Sequence, residues 1–155
     1  MSLLLGLLVQ VAATGRTQLG IHDRWGAFRD AAPARCFAIA QPLGRPRGAF
    51  ASIATWPGMG ARNQLHVRLG RARADGAKVT LSIGERRFEL TAGPSDAWAP
   101  DARTDAAIVA AIRAGRSMSI ETLSASGAPF ADVYPLRGAA TAIDAAAVGC
   151  ARGAR

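Results

Sequence analysis

The sequence predicts a mainly β domain: an antiparallel β-sandwich or rolled sheet with one inserted helix and a short C-terminal helix. Three observations carry that expectation. Polar and apolar residues alternate through residues 63–70, with Leu65, Val67 and Leu69 facing one way and His66 and Arg68 the other. The same period of two returns in residues 77–83, where Val79, Leu81 and Ile83 share a face. Turn-forming residues also punctuate the chain at short intervals, at PLGRPRG (42–48), Pro57-Gly58 and Gly84-Glu85. By contrast, residues 101–115 alone combine a helical apolar stripe with start and stop signals.

The elements follow in order. Residues 1–13, MSLLLGLLVQVAA, carry a short apolar run followed by Val11, Ala12 and Ala13, and read as a signal peptide cleaved after Ala13. That run is too short for the roughly 20 residues a spanning helix needs. Residues 14–20 read as a polar linker, residues 21–150 as one β-rich domain and residues 151–155 as a tail. Within the domain, strands are expected at residues 24–30, 35–41, 49–56, 63–70, 77–83 and 86–91, each pair forming a hairpin. Asp101 or Thr104 caps the inserted helix, Asp105 suits its N-terminal dipole, and Ile108, Val109 and Ile112 form its buried stripe. Gly115 is placed for its C′ position. Strands return at residues 117–123 and 131–136, and a short helix from about Thr141 delivers Cys150 to the body of the domain.

Composition bounds the size of the core and the sign of the surface. At 155 residues the chain fits one domain. Of the 50% hydrophobic residues, 35 are alanines, which bury little, so the core is thin for its length. Net charge is +8, from 18 Arg and one Lys against 11 acids. The arginines concentrate at Arg45/Arg47, at Arg68/Arg71/Arg73 and at Arg86/Arg87. Arg68, Arg71, Arg73, Arg86 and Arg87 are therefore the candidate anion-binding residues. Cys36 and Cys150 are the only cysteines; in an exported chain the simplest use is one disulfide, the alternative being two buried thiols. Two thiols alone make no zinc site, and His22 and His66 do not stand at metal-ligand spacing, so no metal is expected.

Several kinds of catalytic chemistry lack their sequence signatures. GPSDA (93–97) and GRSMS (115–119) both miss the second glycine of a nucleophile elbow. No phosphate-binding P-loop is present, and GMGAR (58–62) precedes a strand where a dinucleotide fingerprint must precede a helix. No cofactor is expected. Glu85, Glu89 and Glu121 are the carboxylates from which a hydrolytic pair would come, and His66 is the candidate base. The blander reading places His66 on a surface beside Arg68, and Trp25, Trp56 and Trp98 in the core. Arginine-rich strands without aromatics on the same faces argue against a specific nucleic-acid partner.

Taken together, the segments WGAF (25–28), RCFAIAQP (35–42), NQLHVRL (63–69), VTLSIG (79–84), DAWAPD (96–101), IRAG (112–115) and DVYPLRG (132–138), followed by a late cysteine, form an ordered series. In this order the chain resembles the invasion-associated locus B family of exported α-proteobacterial proteins. The resemblance spans residues 21–150. It implies a β-rich protein of the periplasm or envelope, with Cys36 and Cys150 as a structural pair and no catalytic residues. On this basis the expected function is non-enzymatic, through surface contacts with a protein or envelope partner. The alternative is a binder of anionic envelope polymer or nucleic acid through an arginine-rich face.

Overall fold

The structure, a computed structural model, describes residues 15–153. Its strands are β1 (Arg16–His22), β2 (Trp25–Ala31), β3 (Ala34–Ala40), β4 (Phe50–Trp56), β5 (Ala61–Arg68), β6 (Val79–Ile83), β7 (Arg86–Ala92), β8 (Asp96–Trp98), β9 (Ser117–Leu123) and β10 (Pro129–Pro135). Helix α1 (Ala102–Ala114) lies between β8 and β9, and α2 (Ala139–Gly153) follows β10. All ten strands join one antiparallel sheet in the order β1-β2-β3-β4-β5-β8-β7-β6-β9-β10.

Of the two expected forms, the rolled sheet is the one observed, and it is not closed. Its ends approach without pairing: the Trp25 indole Nε1 donates to the Pro135 carbonyl at 2.9 Å, and the Leu43 amide donates to the Val133 carbonyl at 2.8 Å. Both helices pack on the concave side, α2 against β1 to β4 and α1 against β5 and β7. The alternation read in β5 and β6 is the burial observed, since Leu65, Val67, Val79 and Leu81 are all 0% exposed. Small residues dominate under α2, where Ala27, Ala38, Ala40 and Ala51 meet Ala139, Ala142, Ile143 and Ala146. Alanines on both sides let helix and sheet approach closely, so the thin core is packed through short side chains.

Four expectations are corrected. The linker placed at residues 14–20 is largely strand β1. As an edge strand with no fully buried residue it shows no period of burial, and it is held by the ladder to β2, by Leu19 packed against the core beside α2, and by Arg16, whose Nε donates to Asp30 Oδ1 at 2.7 Å. Helix α2 begins at Ala139, ahead of Thr141, and continues into the expected tail. Gly138 precedes it with φ 86°, and a Cβ there would collide with the His22 carbonyl, so this glycine admits the helix and does not interrupt it. Gly115 closes α1 in an extended conformation (φ −95°, ψ 170°), not in the left-handed one. A Cβ there would strike Ile83 and come within 3.1 Å of Leu136, so close packing demands the glycine. Finally, Trp25 alone of the three tryptophans is a core residue; Trp56 is half-buried and Trp98 is 37% exposed. The signal peptide expected at residues 1–13 lies outside the described residues.

The inserted helix is anchored twice by acids. Asp101 Oδ1 accepts the Thr104 amide at 2.7 Å, the N-cap expected. Asp105, read as a dipole partner, instead points inward, and its Oδ1 accepts the buried Leu65 amide of β5 at 2.9 Å.

Candidate functional site: the outer sheet face

Cys36 on β3 and Cys150 on α2 form a disulfide, with Cα atoms 5.7 Å apart and a sequence separation of 114. The bridge ties the last helix to the first half of the sheet. No free cysteine occurs among the described residues, and these residues contain no cluster of His, Cys, Asp and Glu able to hold a metal.

The five candidate anion-binding arginines are dispersed. Arg73 Nε donates to the Gly93 carbonyl at 2.9 Å and its Nη1 to the Ala77 carbonyl at 2.6 Å, so its guanidinium is a loop brace. Arg68 Nε lies 3.4 Å from Asp96 Oδ1, and Arg87 Nη1 lies 3.9 Å from Glu121 Oε2. Arg71 and Arg86 cover the rings of Phe130 and Phe88. Arg86 and Arg87 begin β7 while Arg73 reaches the Gly93 carbonyl just past its end, a separation of about 20–24 Å along the strand at its rise per residue. The structure does not bring these five together.

What it does bring together is a cross-strand row on the convex face. The registers place Ile21 beside Gly26, Gly26 beside Ile39, Ile39 beside Ser52, Ser52 beside His66, and His66 beside Trp98. His66 stacks on Trp98 with ring centroids 5.3 Å apart and planes 5° from parallel, and meets Phe50 edge-on at 5.1 Å. Its Nε2 lies 2.8 Å from Asp96 Oδ1, the oxygen that Arg68 also approaches. His66 therefore occupies the polar face beside Arg68, as read from the alternation.

The arrangement holds an imidazole and a carboxylate but lacks a nucleophile in place. Among the described residues no hydrogen bond joins Ser52 to the His66 ring, whereas an activated serine sits about 2.6–3.2 Å from its base. Glu89 and Glu121 both lie opposite Thr80, two strands apart on the convex face, with Lys78 and Arg87 as ionic neighbours. Glu85 is exposed in the turn between β6 and β7.

At the other end of the row lies a groove of about 690 Å³. Ile21, Gly26, Phe28, Ile39 and Phe50 supply its apolar lining, and Arg24 and Arg45 stand on its rim. The missing side chain of Gly26 makes room for Phe28: a Cβ would fall 2.6 Å from Phe28 Cε2 and 3.2 Å from Ile21 Cδ1. The loop that walls it is held by turns from Arg45 N to Pro42 O at 3.1 Å and from Ala49 N to Pro46 O at 3.1 Å. Sequence reading missed this groove, because its residues come from four strands and a loop. The available signal was the pair of aromatics at Phe28 and Phe50 in positions that alternate away from the core.

Among the acids with perturbed carboxyls, Asp30, Asp105 and Asp132 tie distant segments together, and none of the three lines the groove. Desolvation pushes the carboxyls of Asp105 and Asp132 up, against the pull of the amides they accept, those of Leu65 and Gly70. The Arg16 guanidinium, assisted by Arg35, holds Asp30 below the usual carboxylate range. Each fastens backbone segments together: β5 to α1, the loop after β5 to β10, and β1 to the β2–β3 hairpin. These acids are structural fasteners.

Residues 30–147 match the family model described as Invasion associated locus B (IalB) protein. The chain belongs to the invasion-associated locus B family. Its fold is also that of a solved member: the crystal structure of invasion associated protein B from Bartonella henselae superposes with a TM-score of 0.63 at 17% sequence identity, covering 85% of this chain and 96% of that one. No curated protein matches the sequence. At that level of identity the likeness is one of fold, and the locus B name brings no catalytic residue with it. No helix among the described residues is long and apolar enough to cross a membrane.

Proposed function

We propose that this locus B family protein is a non-enzymatic component of the bacterial envelope, exported to the periplasm or beyond, acting by contact through the convex face of its sheet. The Cys36–Cys150 bridge carries the reading, because a structural disulfide persists in an oxidising compartment and is rare in the cytosol. The apolar start of the chain, with small residues before position 14, agrees with export. A role in contact is supported by the aromatic residues Phe28, Phe50 and Trp98 on the side of the sheet that no helix covers.

The test is to express the full chain in a Gram-negative host, fractionate the cells, and weigh the protein with and without reduction and alkylation. The expected product is an envelope-fraction species shortened at its N-terminus that takes up two alkyl groups only after reduction. Full-length protein in the cytoplasm with two freely alkylated thiols refutes the assignment.

A further inference from the structure

We propose that the groove beside Gly26 is a binding site for a single-chain anionic amphiphile, an alkyl tail with one carboxylate or phosphate head. The inference rests on the reading of the convex face as a contact surface but not on the compartment. At about 690 Å³ the groove lies in the range of small-molecule sites. Its composition is divided: Ile21, Phe28, Ile39 and Phe50 offer apolar surface, and the charged residues stand at the rim. Ile21 is 57% exposed, an apolar cost that a bound tail relieves.

Charge decides the head. Arg24 and Arg45 are both exposed, and neither takes part in an ion pair among the described residues, unlike Arg16, Arg35, Arg68, Arg87, Arg113 and Arg137. The one acid on the rim, Asp23, has Arg137 at 3.7 Å. Two guanidiniums without an acid partner therefore stand at the groove, each of a shape that can hold a carboxylate or phosphate in bidentate fashion.

Hydrogen bonding decides the body. The floor is made of strands β1 to β4, joined by ladders whose one register shift, between Gln18 and Gly20, lies outside the groove. A peptide laid across the face of that floor, away from the open edge of β1, finds its main-chain groups unmatched by the ladders beneath and desolvates them at a cost. An alkyl chain has no such groups to lose. Arg45 adopts φ 47° in a loop that the Leu43 amide tethers to Val133 at 2.8 Å, so the rim is organised before any ligand arrives.

The experiment titrates oxidised, purified protein with dodecanoate below its micelle concentration by calorimetry. Parallel titrations use dodecyltrimethylammonium, which keeps the tail and reverses the head, and inorganic phosphate, which keeps an anion and removes the tail. Saturable one-to-one binding of dodecanoate is expected, at least about tenfold tighter than either control. The doubly reversed variant Arg24→Glu/Arg45→Glu, altered only at exposed positions, is expected to lose about tenfold or more, and Ile39→Glu likewise, with unchanged circular dichroism as the folding control. Equal binding of the two alkyl probes, full affinity in the doubly reversed variant, or no saturable dodecanoate binding overturns the proposal. A null titration of protein that is disulfide-bonded and recovered from the envelope removes the ligand and leaves the compartment standing.

Discussion

Removing the bridge between Cys36 and Cys150 gives the sharpest test of how this fold is held. Cys36 is 2% exposed, so the replacement must be apolar; serine would bury an unpaired hydroxyl. Cys36→Ala/Cys150→Ala is therefore the variant of choice, with reduced wild type as its companion. The closed loop spans a sequence separation of 114, and in the chain-entropy account a loop of that length stabilises by roughly 5 kcal/mol. That is comparable to the whole stability of a marginal domain, about 5–15 kcal/mol. With a urea slope of about 2 kcal/mol/M, the midpoint should fall by roughly 2 M. The assay is equilibrium urea unfolding followed by tryptophan fluorescence, to which the buried Trp25 at the seam between β2 and β10 contributes alongside Trp56 and Trp98, and by far-ultraviolet circular dichroism. A midpoint within about 0.5 M of the oxidised protein refutes the reasoning. It would mean that the alanine interface of α2 already holds the helix as tightly as the covalent tie.

Two further outcomes follow from the packing of α1. Because burial raises the Asp105 carboxyl above its ordinary value of 3.8, the native state holds that proton more tightly than the unfolded chain. The contribution of Asp105 to stability is thus fully present below that value and declines as pH rises through the higher native one. Asp105→Asn, whose amide oxygen still accepts the Leu65 N–H, should equal or exceed wild type in urea midpoint at pH 7, with its advantage shrinking towards pH 4. Asp105→Ala should lose about 1–3 kcal/mol by stranding that amide, and equal losses for the two variants at both pH values argue against the account. Gly115→Ala keeps an allowed backbone but drives a methyl into Ile83 and towards Leu136, costing about 1–3 kcal/mol. Differential scanning calorimetry should record a lowered Tm, and an unchanged one shows that the contact relaxes freely.

How far the fold is legible in the sequence depends on whether an element has two unlike faces. Strands β5 and β6 put Leu65, Val67, Val79 and Leu81 against the helices and polar residues outside, and their alternation reads directly. Strand β1 is an edge with no fully buried residue, so nothing in its pattern separates it from a linker. Helix α2 is alanine on several sides, and its start at Ala139 is set by the left-handed turn at Gly138, whose necessity is visible only beside the His22 carbonyl. The disulfide was within reach because two cysteines allow one intramolecular pairing. The groove was not, because Gly26 matters through what it lacks and its neighbours meet only after four strands are in register. Whether the separate arginine clusters share a surface was not legible either: Arg73 turns inward to brace a loop, and β7 carries Arg86 and Arg87 away from it.

The sheet is narrowest at β8, three residues that pair with β5 on one side and through only Thr91 and Ala92 of β7 on the other. Ladder pairing across the wall is therefore slight at β8, though main-chain bonds from the loop after β5 to Leu123 and Pro94 add to it, and α1, resting on both β5 and β7, works as a clasp across the seam. Side chains strengthen the joint: the Asp105 carboxylate, the stripe of Ile108 and Ile112, and the tight heel at Gly115. Were the protein to flex as a whole, this joint is where it would bend, carrying Trp98 and the imidazole stacked on it at the crease.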